Sequence, residues 1–196
     1  SIGHDAETEL ERIGKYFKFK PGSIGNPDFY LGAKLRPTRL RNRVIAWGMS
    51  SSKYIRAAVE NVEAHLKRQD RSLPKRAATP FAAGYEAEID ISPVLGPDDA
   101  NYYQSQIGVL RWCVELGRVD MITEVSILAS QLAMPREGHL EAVYHIWAYL
   151  KAKHNARMIF DPTYPDIDPN DFLECDWKGM YGDVKEPIPP NAPKPR

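Results

Sequence analysis

A polymerase or nuclease that works through two metal ions needs carboxylates held close enough to share them, and the sequence offers a single adjacent acidic pair, Asp98-Asp99. That pair follows Gly96-Pro97 at an expected helix start, where acidic side chains act as caps and complement the helix dipole. His4, His65, His139, His145 and His154 show no metal-type spacing, and His139 and His145, six positions apart, do not share a helix face. Cys113 lies between Trp112 and Val114 in an apolar run and reads as a buried free thiol. Cys113 and Cys175, far apart in sequence, resemble neither a zinc-type pair nor a disulfide framework; a bridge between them is open in principle, and a reducing compartment argues against it. There is no Gly-x-Ser-x-Gly, Walker loop or Gly-x-Gly-x-x-Gly. Gly22-Ser23-Ile24-Gly25 matches the clamp of KH domains, but that clamp joins two helices and Asn26-Pro27 here leads into a strand. No catalytic set emerges, and no cofactor is expected in this chain.

The chemistry that remains is charge. The formal net charge of zero hides a basic stretch: Lys34, Arg36, Arg39, Arg41, Arg43, Lys53, Arg56, Lys67, Arg68, Arg71, Lys75 and Arg76, opposed only by Glu60, Glu63 and Asp70. From Asp161 onward the balance reverses through Asp166, Asp168, Asp171, Glu174, Asp176, Asp183 and Glu186. A polyanion would therefore meet one end and be repelled by the other. The plain alternative is a solvated charged surface. Hydrophobic residues at 43% and charged residues at 27% suit a soluble globular chain. No stretch is long and apolar enough to span a membrane, so no membrane partner and an intracellular location are expected.

The elements that must position these charges follow from periodicity. Asp5 to Phe17 has helical spacing, with Leu10, Ile13, Gly14 and Phe17 on one face and Asp5 as cap. Phe29 to Leu35 and Val44 to Met49 read as two strands of a hairpin joined by a basic loop from Pro37 to Arg43, with Gly32 marking a bulge or a close backbone approach. Ser50-Ser51-Ser52 offers caps for a helix to about Arg68, whose apolar face is Ile55, Ala58, Val59, Val62 and Leu66. Gln69 to about Pro97 is a long connection. Three helices follow: one capped by Asp98 or Asp99 with Tyr103, Ile107, Leu110 and Val114 inward; one capped by Asp120 with Ile122, Val125, Leu128, Ala129 and Leu132; and one opened by Pro135 with Leu140, Val143, Tyr144, Trp147 and Leu150. Trp112, Tyr144 and Trp147 fall on or near apolar stripes and are expected in the core. Met158-Ile159-Phe160 reads as a short strand. The expected class is α+β: a small hairpin with flanking helices, a three-helix subdomain, and an irregular, acidic, proline-rich tail.

Several of these residues together resemble a known family. Tyr30-Leu31-Gly32 after a turn, then Ser52-Lys53-Tyr54 opening a helix, is similar to copia-type retrotransposon reverse transcriptase just after its catalytic palm. Tyr102-Tyr103-Gln104-Ser105-Gln106-Ile107-Gly108-Val109-Leu110-Arg111-Trp112 resembles the family's Tyr-Arg-x-x-(Ile/Val)-Gly-x-Leu-x-Tyr signature. Arg118-Val119-Asp120-Met121 stands where the family has Arg-Pro-Asp-Ile. Pro135 to Leu140, followed by Tyr149-Leu150-Lys151, matches Pro-x-x-x-His-(Trp/Leu) and Tyr-Leu-Lys. The motifs cover roughly residues 5 to 160 in the family's order. Val119, Leu140 and Ala152-Lys153 depart from its usual residues.

The resemblance implies a polyprotein fragment: 1–49 the edge of the palm with a primer-grip-like hairpin, 50–98 a thumb-like helix and connection, 99–160 a helical connection-like subdomain, and 161–196 a linker. The polymerase carboxylates would precede Ser1 and the ribonuclease H carboxylates would follow Arg196, so the parent's Mg2+ would be bound outside this chain. Its partners would be a template–primer duplex (RNA–DNA or DNA) and the palm and ribonuclease H domains of the same polyprotein. By motif position Tyr30, Leu31 and Gly32 form the grip, with Gly32 giving the backbone room. Lys53, Arg56, Arg39, Arg41 and Arg43 are the expected phosphate contacts. The location would be cytoplasmic with a nuclear phase. The competing readings are a non-catalytic helical protein-interaction module, domesticated or truncated from a retroelement, and a decayed fragment.

Overall fold

The computed structural model describes residues 6–26 and 28–163; the expected cap Asp5, Cys175 and the acidic segment from Tyr164 lie outside them. The class is α+β. In chain order the elements are α1 (Ala6–Gly14), β1 (Phe29–Tyr30), β2 (Ala33–Arg39), β3 (Ile45–Ser50), α2 (Ser52–Lys67), α3 (Pro97–Glu115), α4 (Ile122–Ser130), α5 (Glu137–Ala152) and β4 (Met158–Phe160). Short 3-10 turns occur at Ala87–Ile89 and Val119–Met121. The four strands form one antiparallel sheet in the order β1-β2-β3-β4. Among the described residues no helix is long and apolar enough to cross a membrane.

The first hairpin differs from the expected single strand over Phe29 to Leu35. Tyr30 pairs with Ala33 and Phe29 with Lys34, so the chain reverses at Leu31-Gly32. Both turn residues have positive φ, 49° and 98°. Such a turn matches the strand twist but favours Asn-Gly over Leu-Gly. Gly32 thus answers to the turn: a Cβ there would meet nothing within 4 Å, so no close backbone approach requires it. Leu31→Asn should raise stability by about 0.5–1 kcal/mol by relieving the left-handed strain. Urea unfolding of the variant checks this, and an unchanged midpoint would count against the turn.

The second hairpin also has a shorter loop than expected. β2 continues through Pro37, paired with Trp47, as far as Arg39, paired with Ile45. Leu35 donates its N–H to Asp28 on the β1 side. Pro37, two residues on, therefore turns its nitrogen to the same side, beyond the end of β1, where no donor is needed. The reversal itself is tight, with Arg43 donating to the Leu40 carbonyl, Leu40 to that of Val44, and Arg43 at φ 68°.

One sheet face packs on the helices. Ala33, Met49 and Leu116 form a small buried cluster with Tyr54 and Met158 against it. Gly117, at φ 98°, ends α3 there: the Arg118 N–H reaches the Cys113 carbonyl and the Gly117 N–H that of Val114. The main core joins all of α2 to α5. Ile55, Val59, Val62 and Leu66 supply the stripe of α2, Tyr103, Ile107, Leu110 and Cys113 that of α3, and Val125 and Leu128 that of α4. Helix α5 buries Leu140, Val143, Tyr144, Ile146, Trp147 and Leu150, nearly all round, and so lies at the centre. Each such side chain stabilises the fold by about 1.5–3 kcal/mol through burial. The Tyr103 hydroxyl donates to the Leu128 carbonyl at 2.6 Å, tying α3 to the end of α4. The Arg136 N–H donates to His139 Nδ1, which leaves Nε2 to donate to the Ala87 carbonyl and fasten the long connection onto α5.

Several local expectations are corrected. Gly96 precedes the first residue of α3, with Pro97 starting it and Asp98 and Asp99 in its first turn. Of the three serines expected to offer caps for α2, Ser51 makes no such bond through its side chain, while Ser50 Oγ accepts the Ser52 N–H at 3.4 Å. Trp112 is off the buried stripe and exposed, as is Ile122. The face expected of α1 is largely exposed, including Ile13 and, just beyond the helix, Phe17. Cys113 is a free, buried thiol, and burial pushes its pKa up to about 12, Arg118 opposing. It should resist iodoacetamide at pH 8 until the chain unfolds; mass-mapped labelling of native protein at Cys113 would contradict this.

Candidate nucleic-acid interface

Alternation along a strand decides which charges can act together. Lys34 and Arg36 lie on one face of β2, the face opposite Ala33. Their cross-strand partners Ser50 and Gly48 share that face, as does Phe29 on β1. The Lys34 ammonium sits 5.8 Å from the centroid of the Phe29 ring. At the end of β3 the chain turns directly into α2, and the first turns of that helix bring Lys53 and Arg56 to the same side. The result is a cleft of about 520 Å³ lined by Lys34, Arg36, Lys53, Arg56 and Arg157, with Phe29, Ser52 and His154 also on its wall. Among the described residues no carboxylate lines it. All five cations are exposed. None takes part in the ion pairs seen among the described residues, which are Arg12–Glu9, Arg71–Glu141, Arg118–Asp120 and Lys151–Glu63.

The cleft has a small-residue floor. A Cβ on Gly48 would stand 2.9 Å from Thr38 Oγ1 and 3.3 Å from Ile159 Cδ1, so only glycine fits there without displacement. The start of α2 adds the positive end of its dipole, and no acidic residue occupies its first turn.

Arg157 reaches the cleft because the end of α5 is clamped. Arg118, 1% exposed in its side chain, gives Nε and Nη2 to the two oxygens of Asp120 at 2.8 and 2.7 Å. Its Nη1 donates to the Lys153 carbonyl at 3.1 Å. Tyr149 donates its hydroxyl to Asp120 Oδ2 at 2.7 Å, and the guanidinium stacks 5.6 Å from the Tyr149 ring. Asp120, expected as a helix cap, is instead the counter-ion of this buried guanidinium. One residue beyond the clamp, His154 Nδ1 meets Ser52 Oγ at 2.8 Å. That bond joins the segment after α5 to the start of α2.

No family model, curated protein or solved structure matches this chain. The site therefore rests on its geometry.

Of the residues expected from sequence, the structure brings Gly32, Lys53 and Arg56 to the cleft. Leu31 and Tyr30 are exposed at the tip of the first hairpin. Tyr30 pairs with Ala33, so it belongs to the opposite face from Lys34, and Phe29 is the aromatic residue at the cleft. Arg39 lies on the Ala33 face as well. It is five positions along β2 from Lys34, roughly 17 Å at the ordinary strand rise. Arg41 and Arg43 sit in the distal turn beyond it. These three arginines are exposed but form no part of the cleft. Lys34 and Arg36 were visible in the basic stretch without being singled out. Arg157 carried no sequence signal, since only the clamp on α5 brings it near.

Among the described residues no group of three or more His, Cys, Asp or Glu side chains could hold a metal ion. These residues do not fit the Mg2+ that the family resemblance associates with the parent.

Proposed function

We propose that this chain holds the sugar–phosphate backbone of a nucleic acid, as the segment of a copia-type reverse transcriptase that positions the template–primer duplex. The cleft with two converging rows of cations, and no carboxylate among its described lining residues, carries the reading. Lys34 and Arg36 are spaced two residues apart on a strand, about 7 Å, and Lys53 and Arg56 three apart on a helix, about 5–6 Å between Cβ atoms. Contacts of this kind fix the register of a backbone without reading bases, which suits a polymerase that copies any sequence. The carboxylates and Mg2+ for polymerisation would come from outside this chain, so the chain alone would incorporate no nucleotide. The exposed apolar residues Ile13, Tyr16, Phe17 and Ile24 favour docking against a neighbouring part of the polyprotein. The same reading implies an intracellular protein, cytoplasmic with a nuclear phase.

The test separates the cleft from the distal turn. K53A/R56A should weaken binding of a fluorescent DNA duplex at least tenfold, while R39A/R41A/R43A should change it less than threefold. Equal losses in both variants would make binding a general surface effect, and nucleotide incorporation by the chain alone would overturn the assignment. The rival reading, a helical protein-interaction module, draws on a different observation: Ile89, Ile91, Val94 and Met134 are all exposed. Under that reading the cleft variants would leave the function intact.

A further inference from the structure

The wall of the cleft bears on the form of nucleic acid it accepts, an inference that rests on the backbone-binding reading above. The cleft, about 520 Å³, is an open groove on the surface that a nucleic-acid backbone can lie along. Cations converge on it from two sides, the sheet row Lys34 and Arg36 and the helix row Lys53 and Arg56. A single backbone lying between the rows could neutralise both at once, whether it is unpaired or one strand of a duplex. The remaining feature is apolar. Phe29 stands at the cleft wall with 60% of its surface exposed, on a two-residue strand, with the Lys34 ammonium 5.8 Å from its ring centroid. An exposed aromatic ring beside phosphate-binding cations is the combination by which proteins hold unpaired strands, since every base presents a π face. In a duplex the bases are already stacked on one another and are not offered to the ring.

We infer that the cleft holds one unpaired strand, with a base stacked on Phe29 and the adjoining phosphates between the two cation rows. For a polymerase fragment this is the single-stranded overhang beside the duplex. Tyr30, on the other sheet face, takes no part.

The test uses the full chain and fluorescence anisotropy with four labelled probes: a 12-nucleotide single strand, the same strand with abasic sites, a blunt duplex, and a duplex with a single-stranded overhang. The single strand and the overhang duplex should bind at least fivefold more tightly than the blunt duplex. Phe29→Ala should remove that preference, a loss of about tenfold for the single strand, and leave blunt-duplex and abasic-strand binding unchanged. Phe29→Trp should retain it, and Tyr30→Ala should not affect it. Because Phe29 is exposed, an unchanged melting curve for Phe29→Ala is expected and separates lost stacking from lost folding. Equal affinity for strand and blunt duplex, with Phe29→Ala silent, would overturn the inference while leaving backbone binding in place. Failure to bind any of the four probes would overturn the underlying reading instead.

Discussion

Arg118→Ala is expected to destabilise the chain by about 3 kcal/mol and to weaken nucleic-acid binding, although Arg118 does not line the cleft. Its guanidinium is almost wholly buried and makes three hydrogen bonds, two to Asp120 and one to the Lys153 carbonyl. Removing it leaves Asp120 with only the Tyr149 hydroxyl as a side-chain donor, and the Lys153 carbonyl with only the Ala156 N–H. Breaking a fully buried pair costs about 3–5 kcal/mol; Asp120 is 36% exposed in its side chain, which brings the expectation to the low end. For a domain of this size the loss corresponds to a fall in Tm of roughly 6–12 °C. Arg118→Lys keeps the charge but not the planar fork, and should recover less than half of the loss. The functional consequence follows from the chain path: the Lys153 carbonyl is released, and with it the segment carrying His154 and Arg157 to the cleft. Thermal unfolding with duplex binding on the same samples checks both effects, and a variant as stable as wild type would remove the clamp from the account.

The clamp also sets an acid limit. Burial alone would favour the neutral form of Asp120, but hydrogen bonds from Arg118 and Tyr149 and the charge of Arg118 outweigh it, holding the carboxyl below its usual value. A group that is more acidic folded than unfolded contributes fully above the ordinary carboxylate pKa, near pH 4, and loses its contribution as pH falls below that. Wild-type stability should therefore decline from about pH 4 downward, and less steeply in Asp120→Asn.

The second large effect belongs to the cleft itself. Replacing Lys34, Arg36, Lys53 and Arg56 together with alanine should abolish measurable backbone binding while leaving the fold intact. All four side chains are exposed and free of ion pairs with described residues, so the substitutions break no structural contact beyond the Lys34–Phe29 approach. Removing four clustered like charges relieves their mutual repulsion, and stability should hold or rise slightly. Each lost phosphate contact forgoes the release of about one condensed counterion. The combined loss should thus be largest at low salt. A variant that binds as tightly as wild type would place the interface elsewhere.

The helical half was legible because its signals are local and periodic. Val59, Val62 and Leu66, Tyr103, Ile107 and Leu110, and Val143, Trp147 and Leu150 all stand at helical spacing, and all are buried. β3 and β4 were likewise readable from short apolar runs. The first hairpin was not, because Leu31 holds a left-handed conformation that the residue type does not announce. Motif position pointed to Tyr30, whereas the reversal leaves Phe29 on the face of the cleft. Pro37 looked like a loop residue because the edge position that tolerates it depends on β1 being only two residues long. Asp120 looked like a cap because its real partner is a guanidinium buried by the fold. The cleft was half legible: the basic stretch held four of its five cations, but not which of its arginines share a face. Arg157 could join them only through tertiary structure.

The most direct test of the central claim is the salt dependence of duplex affinity, measured by anisotropy between 50 and 200 mM NaCl. If the five cleft cations neutralise phosphates, log affinity against log salt should have a slope of about −4.5, a fall of several hundredfold over that range. The variant lacking Lys34, Arg36, Lys53, Arg56 and Arg157 should show a slope near zero. A wild-type slope near zero, or a steep slope that survives in the variant, would contradict the assignment of this cleft as the backbone site.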